Sequence, residues 1–298
     1  MRPLYTLVVA AALASSVLAP VAQAQSNPRQ RVLLITALGE DGVPVDTVSP
    51  DDVLIREDGV AREVLKVTRS TEPVDITVLV DNSLASTRAL QDMRLGLEKF
   101  VNNYAGPHPI TIVTVADRPT VQVGPTTSKP QLVRAVNRLF VQPDSGATMI
   151  EGIIEAARAI QKRKPARATI IALTSFGTEF SDRGFQFALD ELAASGATLH
   201  VLELQDTQRA DLTSQNVRDR NVVIDRGTLE TGGSRELLLV NLSITDALQK
   251  VGRIALTQHE VLYGRPDTLI PPKQVEVFSA KPTLKIKANT LQANRAPR

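Results

Sequence analysis

Residues 74–86 read Val74-Asp75-Ile76-Thr77-Val78-Leu79-Val80-Asp81-Asn82-Ser83-Leu84-Ala85-Ser86. The first seven are rich in β-branched apolar side chains, the composition of a parallel strand covered on both faces. The run stops at Asp81, and Ser83, Ser86 and Thr87 follow before a helical pattern begins. This polar cluster at a strand's carboxyl end sits where open α/β sheets place their ligand sites. Asp81 and Ser83 offer hard oxygen donors of the kind that suit Mg²⁺, Ca²⁺ or Mn²⁺. Ser86 or Thr87 is equally suited to capping the helix that follows, and the two roles are compatible.

Downstream, strand and helix patterns alternate. Leu90, Met93, Leu97, Phe100 and Val101 mark one helix face across 88–103. Strands are predicted at 110–115 and 120–123, then a helix through Leu132, Val136 and Leu139. Thr148 leads into a helix ending near Arg163, followed by a strand at 168–174, a helix at 184–195 and a strand at 197–204. This order predicts an α/β fold, a Rossmann-like, doubly wound, mostly parallel sheet flanked by helices. Residues 205–231 are polar and scattered with Arg and Asp. They read as a solvated excursion of mixed charge, interrupted by a weak apolar run from Asn221 to Ile224. Thr231-Gly232-Gly233 then precedes a strand at 236–240 and a helix at 245–255.

The two ends read differently. Upstream, 31–37 is strand-like, and runs at 52–57 and 60–67 flank Asp58-Gly59, a strong hairpin signal. A lone hairpin is marginal in water and needs cover for Val53, Ile55, Val64 and Val67. The tail offers runs at 259–263, 274–278 and 283–287, with Val275, Val277, Leu284 and Ile286 in period-two alternation. A small β appendage built from both ends of the mature chain is therefore expected. The domains divide as a leader at 1–24, an N-terminal β-hairpin segment at 25–70, the α/β domain at 71–264, and C-terminal strands and tail at 265–298.

The leader has Arg2, an apolar stretch from Leu4 to Leu18, and Ala22-x-Ala24. These are the marks of a secretory signal peptide cleaved after Ala24, which makes the mature chain exported, periplasmic or extracellular. No later stretch reaches the ~18 consecutive apolar residues that a spanning helix needs, so no transmembrane segment is expected once the signal is removed. The chain has no cysteine, so disulfides and thiolate chemistry are excluded. A net charge of +2 and 3% aromatic residues argue against charge-driven or base-stacking nucleic-acid binding.

Asp81-x-Ser83-x-Ala85 after a buried strand resembles the metal-ion-dependent adhesion site of von Willebrand factor A domains. That site pairs Asp-x-Ser-x-Ser with a distant Thr and a distant Asp. The resemblance assigns the Thr to Thr148, in Ser145-Gly146-Ala147-Thr148, and the Asp to the residue after Thr169–Thr174, which here is Ser175. It therefore implies a degenerate site, with Asp81, Ser83 and Thr148 as remaining metal donors and Ala85 and Ser175 as replacements. The Thr-Gly-Gly, strand, helix order at 231–255 resembles the last repeat of these domains. Glu57-Asp58-Gly59 resembles the leader hairpin of an exported bacterial family with A-domain-related sequences. Asp144, Glu179 and Asp182 come from loops at the same sheet edge, as substitutes for the missing carboxylate or as solvated loop charges.

The function implied is a protein-binding or adhesion module that grips a protein or cell-envelope ligand at the carboxyl edge of the sheet. That edge gathers Ser86, Ser145, Ser175 and Glu179 with the three donors. One carboxylate where the family has two implies weak or absent binding of Mg²⁺ or another divalent cation, and no other cofactor. Catalysis is not expected. The histidines, His108, His200 and His259, are not placed near Ser83, and the chain lacks a nucleophile elbow, a zinc-protease helix motif, a dinucleotide fingerprint and a phosphate loop. Two alternatives stay open: an exported hydrolase, which needs a base within reach of Ser83, and a structural subunit of a cell-envelope complex, which needs a large apolar surface patch.

Overall fold

The computed structural model describes residues 30–205, 214–265 and 271–292. The leader expected at 1–24 lies outside the described residues. In chain order the strands are β1 (Gln30–Leu38), β2 (Val53–Glu57), β3 (Val60–Arg62), β4 (Val64–Arg69), β5 (Val74–Val80), β6 (Ile110–Thr114), β7 (Thr120–Thr126), β8 (Arg167–Ser175), β9 (Thr198–Leu204), β10 (Ser234–Leu238), β11 (His259–Gly264), β12 (Val275–Ser279) and β13 (Lys285–Ala288). The helices are α1 (Leu90–Tyr104), α2 (Lys129–Asn137), α3 (Met149–Arg163), α4 (Phe185–Ser195), α5 (Gln215–Glu230) and α6 (Ile244–Leu256).

The main sheet has the order β10-β9-β8-β5-β6-β7, parallel except for β7. Every residue of β5 is buried. Val74, Ile76, Val78 and Val80 pack under α1, α2 and α6, while Leu79 joins the core under α3, α4 and α5. Burying an aliphatic side chain of this size contributes about 1.5–3 kcal/mol, so β5 alone anchors both layers. Its one buried acid is paired: Asp75 accepts from Arg163 Nε at 2.7 Å and Nη2 at 2.9 Å, a bidentate bond to the last turn of α3.

The two ends of the described chain meet as expected. β2 pairs antiparallel with β12 and with β3, and β1 lies between β13 and β11 in a second antiparallel sheet that ends with β4. Asp58 and Gly59 both have positive φ, 49° and 80°, the geometry of the tight turn that Asp-Gly signals. Val53 and Ile55 are buried in a core with Leu33, Ile35 and Tyr263, against which Val275, Val277, Leu284 and Ile286 pack.

Two readings need correction. The single strand expected at 60–67 is two strands, β3 and β4, which belong to different sheets. The excursion expected at 205–231 contains a 16-residue helix, α5; the residues before it, 206–213, lie outside the described set. Ser214 caps α5 by accepting from Val217 N at 3.3 Å, and Val217, Val223, Ile224 and Gly227 face the core.

Candidate functional site

The strand order reverses between β5 and β8. The chain leaves β5 for β6 on one side and returns to β8 on the other. Such a switch point opens a crevice at the carboxyl ends of the strands, and here those ends are Asp81 and Ser175. Asp81 is wholly buried. Its Oδ1 accepts from Ser83 N at 2.9 Å, and its Oδ2 accepts from Ser175 N at 3.0 Å and from the Thr174 hydroxyl at 3.4 Å. The Ser86 and Ser175 hydroxyls share a bond of 2.9 Å. Asp81, Ser83, Ser86 and Ser175 thus form one connected cluster that ties the loop after β5 to the loop after β8.

The other residues singled out from the sequence lie on the same edge but bond elsewhere. The Thr148 hydroxyl donates to Val115 O at 2.9 Å, and Ser145 Oγ to Gln142 O at 2.7 Å. Both are buried. The segment carrying them is stitched into the edge by its backbone. Thr148 N donates to Val115 O, Ala147 N to Thr178 O and Phe180 N to Ala147 O, at 2.7–2.9 Å. Asn82, within the motif, carries a role that its sequence gives no sign of. It is buried, accepts from Ala116 N at 3.1 Å and donates to Phe140 O at 3.0 Å, linking the loop after β5 to the loop after β6 and the loop after α2.

Glu179 is not a solvated loop charge. At 2% exposure, its Oε1 accepts from Met149 N at 2.8 Å, from Ile150 N at 3.4 Å and from the Ser181 hydroxyl, capping α3. Burial raises its pKa to about 7. The nearby cation is Arg220, fully buried on α5, whose Nη1 donates to Gly177 O at 3.3 Å. Its Nη2 lies 3.8 Å from Glu203 Oε1, and Glu203 Oε2 accepts from Arg235 Nε at 3.0 Å. A row of buried charge therefore backs the loop after β8.

The capping role offered for Ser86 or Thr87 is also corrected. α1 begins at Leu90 with Ala89 as its N-cap and no side-chain bond there, and the Thr87 hydroxyl instead donates to Leu84 O at 2.6 Å. The histidine rings are all engaged away from Ser83. His108 Nδ1 accepts from Val74 N, His200 Nδ1 meets Ser234 Oγ, and His259 Nε2 meets Asp46 O. Burial lowers all three pKa values, that of His200 to about 3. A cleft of about 270 Å³ opens beside Ser175, between Ala85, Arg88 and the segment Leu239–Asn241.

The motif implies a divalent cation, and the donor set does not fit one. Asp81 is the one carboxylate of the cluster, and both its oxygens already accept backbone N–H groups. Residue 85 has no donor atom. It packs so closely on the loop after β8 that a Cβ at Gly177 would stand 2.6 Å from Ala85 Cβ. Among the described residues, no three or more His, Cys, Asp or Glu side chains gather as a metal site.

The fold and the placement of this cluster define a doubly wound α/β domain with a polar site at its switch point. Residues 76–178 match the family model of the von Willebrand factor type A domain. Proximal thread matrix protein 1 from the mussel byssus, in a structure with a zinc-occupied MIDAS motif, is similar in fold. Its TM-score is 0.52 at 16% identity, over 67% of this chain and 50% of that chain. The chain thus spans about half the length of the mussel protein. A von Willebrand factor type A structure from Catenulispora acidiphila has a TM-score of 0.50 at 9% identity, over 88% of this chain and 73% of that one. A search of curated proteins finds no match. Among the described residues, no helix is long and apolar enough to cross a membrane.

Proposed function

We propose that this chain is an exported, non-catalytic protein-binding module. It would bind a protein or cell-envelope ligand at the carboxyl edge of the main sheet, without a metal ion. The observation that carries this reading is the closed bonding of the Asp81 cluster. Asp81 spends its carboxylate on Ser83 N and Ser175 N, and Ser86 and Ser175 bond each other. These groups shape the edge loops and leave contact to loop backbone and to the residues around the adjoining cleft. The domain profile and the switch-point location support a binding role. The division at residues 24, 70 and 264 and the signal peptide belong to the same proposal.

A photo-crosslinking amino acid placed at Leu84, on this edge, or at Lys164, at the opposite edge, tests the reading in the producing cell. Adducts are expected from Leu84, with a chelator present or absent, and not from Lys164. Adducts from Lys164 alone, or loss of the Leu84 adduct on chelation, would overturn it. Exposed Leu237, Leu239, Val240 and Leu242 favour a second reading, a permanent subunit of an envelope complex. A native particle much larger than the chain, held together through these side chains, would select it.

A further inference from the structure

Next to the Asp81 cluster, the cleft combines three features. Its wall carries Arg88, exposed, with a guanidinium that makes no ion pair or hydrogen bond among the described residues. Among the described residues its lining contains no acidic side chain, and Ser175, its hydroxyl bonded to Ser86, borders it from the switch point. Its rim is apolar. Leu239 is 71% exposed, Val240 59% and, one residue beyond the lining Asn241, Leu242 is 83% exposed; Leu84 stands at 55% beside Ala85. The rim is held in place, because Asn241 Nδ2 donates to Arg88 O at 3.1 Å and fixes the segment after β10 against the start of α1. Large apolar side chains exposed this close together around a cavity mark a docking surface.

We propose that this cleft binds a partner polypeptide through a carboxylate flanked by apolar side chains, with Arg88 supplying the positive charge. Charge complementarity favours this occupant. Among the described residues the cleft presents one unpaired guanidinium and no acid, and a guanidinium at an apolar surface matches a carboxylate in charge and in planar geometry. The apolar neighbours of that carboxylate would cover Leu239, Val240 and Leu242. A volume near 270 Å³ suits a side chain or two of a bound segment rather than a whole small-molecule ligand. This inference rests on the metal-free reading above, since it gives Arg88 the charge that a cation would otherwise bring to the edge.

The test uses the full chain and labelled synthetic peptides of alternating leucine and aspartate, with leucine–asparagine peptides as isosteres, read by fluorescence polarisation. Saturable binding of the aspartate peptide is expected. The affinity should fall about tenfold or more for the asparagine isostere and for Arg88→Ala, and return in part with Arg88→Lys. Arg88 is exposed, so the variants should keep the thermal midpoint of the parent. Absence of saturable binding, equal affinity for the two peptides, or equal affinity of Arg88→Ala and parent would each overturn the proposal. Loss of binding on chelation would instead overturn the metal-free reading and the inference with it. A dimer in sedimentation that Leu242→Ser dissolves would assign the patch to a second copy. Binding gained only on removing residues 206–213 would assign the cleft to this chain's own segment. Either result overturns the inference.

Discussion

At the scale of single residues, burial decides what the carboxylates of the carboxyl edge do. Asp81 is surrounded by backbone N–H donors, and Glu179 has donors on one oxygen only, with Arg220 close by and burial dominating. Glu179 thus holds its proton in the folded chain up to about pH 7 but releases it near 4.5 when unfolded. The folded state then binds more protons than the unfolded state between those values. Its contribution to stability is complete below about pH 4.5 and is lost as pH rises to 7. We expect Glu179→Gln to flatten this part of the pH–stability curve and, at pH 8, to be the more stable protein by up to about 3 kcal/mol. Urea unfolding at a series of pH values checks this. A Gln variant whose curve parallels the parent between pH 5 and 8 would mean that Glu179 is ionised throughout.

Among the elements, α5 shows where sequence reading stops. A helix in 215–230 would be legible from Val217, Val223, Ile224 and Gly227, but a core-facing position between them is Arg220. A charge there breaks the apolar periodicity, so the segment reads as solvated. Glu203 hides in the same way: inside an apolar strand it gives no sign that Arg220 and Arg235 await it from α5 and β10. Asp81 and Ser83 were legible because a polar residue ending an apolar run has one natural place in an open sheet. The direction of the Thr148 hydroxyl was not, since it depends on Val115 O, more than thirty residues away in the chain. The hairpin at Asp58-Gly59 was legible because its turn is local, whereas the break at Glu63 that sends β3 and β4 to different sheets is set by distant partners. Arg220→Met should therefore cost about 3 kcal/mol, because it strips the buried Glu203 Oε1 of its cation and leaves that acid with Arg235 alone. Arg226→Ala, which removes an exposed pair with Glu230 on the same helix, should cost no more than about 0.5 kcal/mol. Equal costs in chemical denaturation would show that the buried row contributes nothing particular.

Over the whole molecule, the appendage and the binding edge are tied to the α/β domain at different places. Arg167, at the start of β8, donates to Ser70 O, Glu72 O, Ala255 O and the Gln258 side chain, joining the amino edge of the main sheet to the segments that flank β4 and β11. The appendage thus meets the edge opposite Asp81. Deleting residues 271–298 removes β12 and β13 and uncovers Val53 and Ile55. Amide exchange should then rise by at least tenfold across 53–57 while 74–80 stays protected. Unchanged exchange at 53–57 would mean that the ends fold independently. The central claim is that hydrogen bonds, not a cation, hold the switch-point site, and calorimetric titration of the full chain with Mg²⁺, Mn²⁺ and Zn²⁺ tests it most directly. The account predicts no saturable binding for the natural sequence, and binding by the Ala85→Ser, Ser175→Asp double variant, whose second carboxylate completes the donor set. Micromolar affinity of the natural chain, abolished by Asp81→Ala, would contradict it.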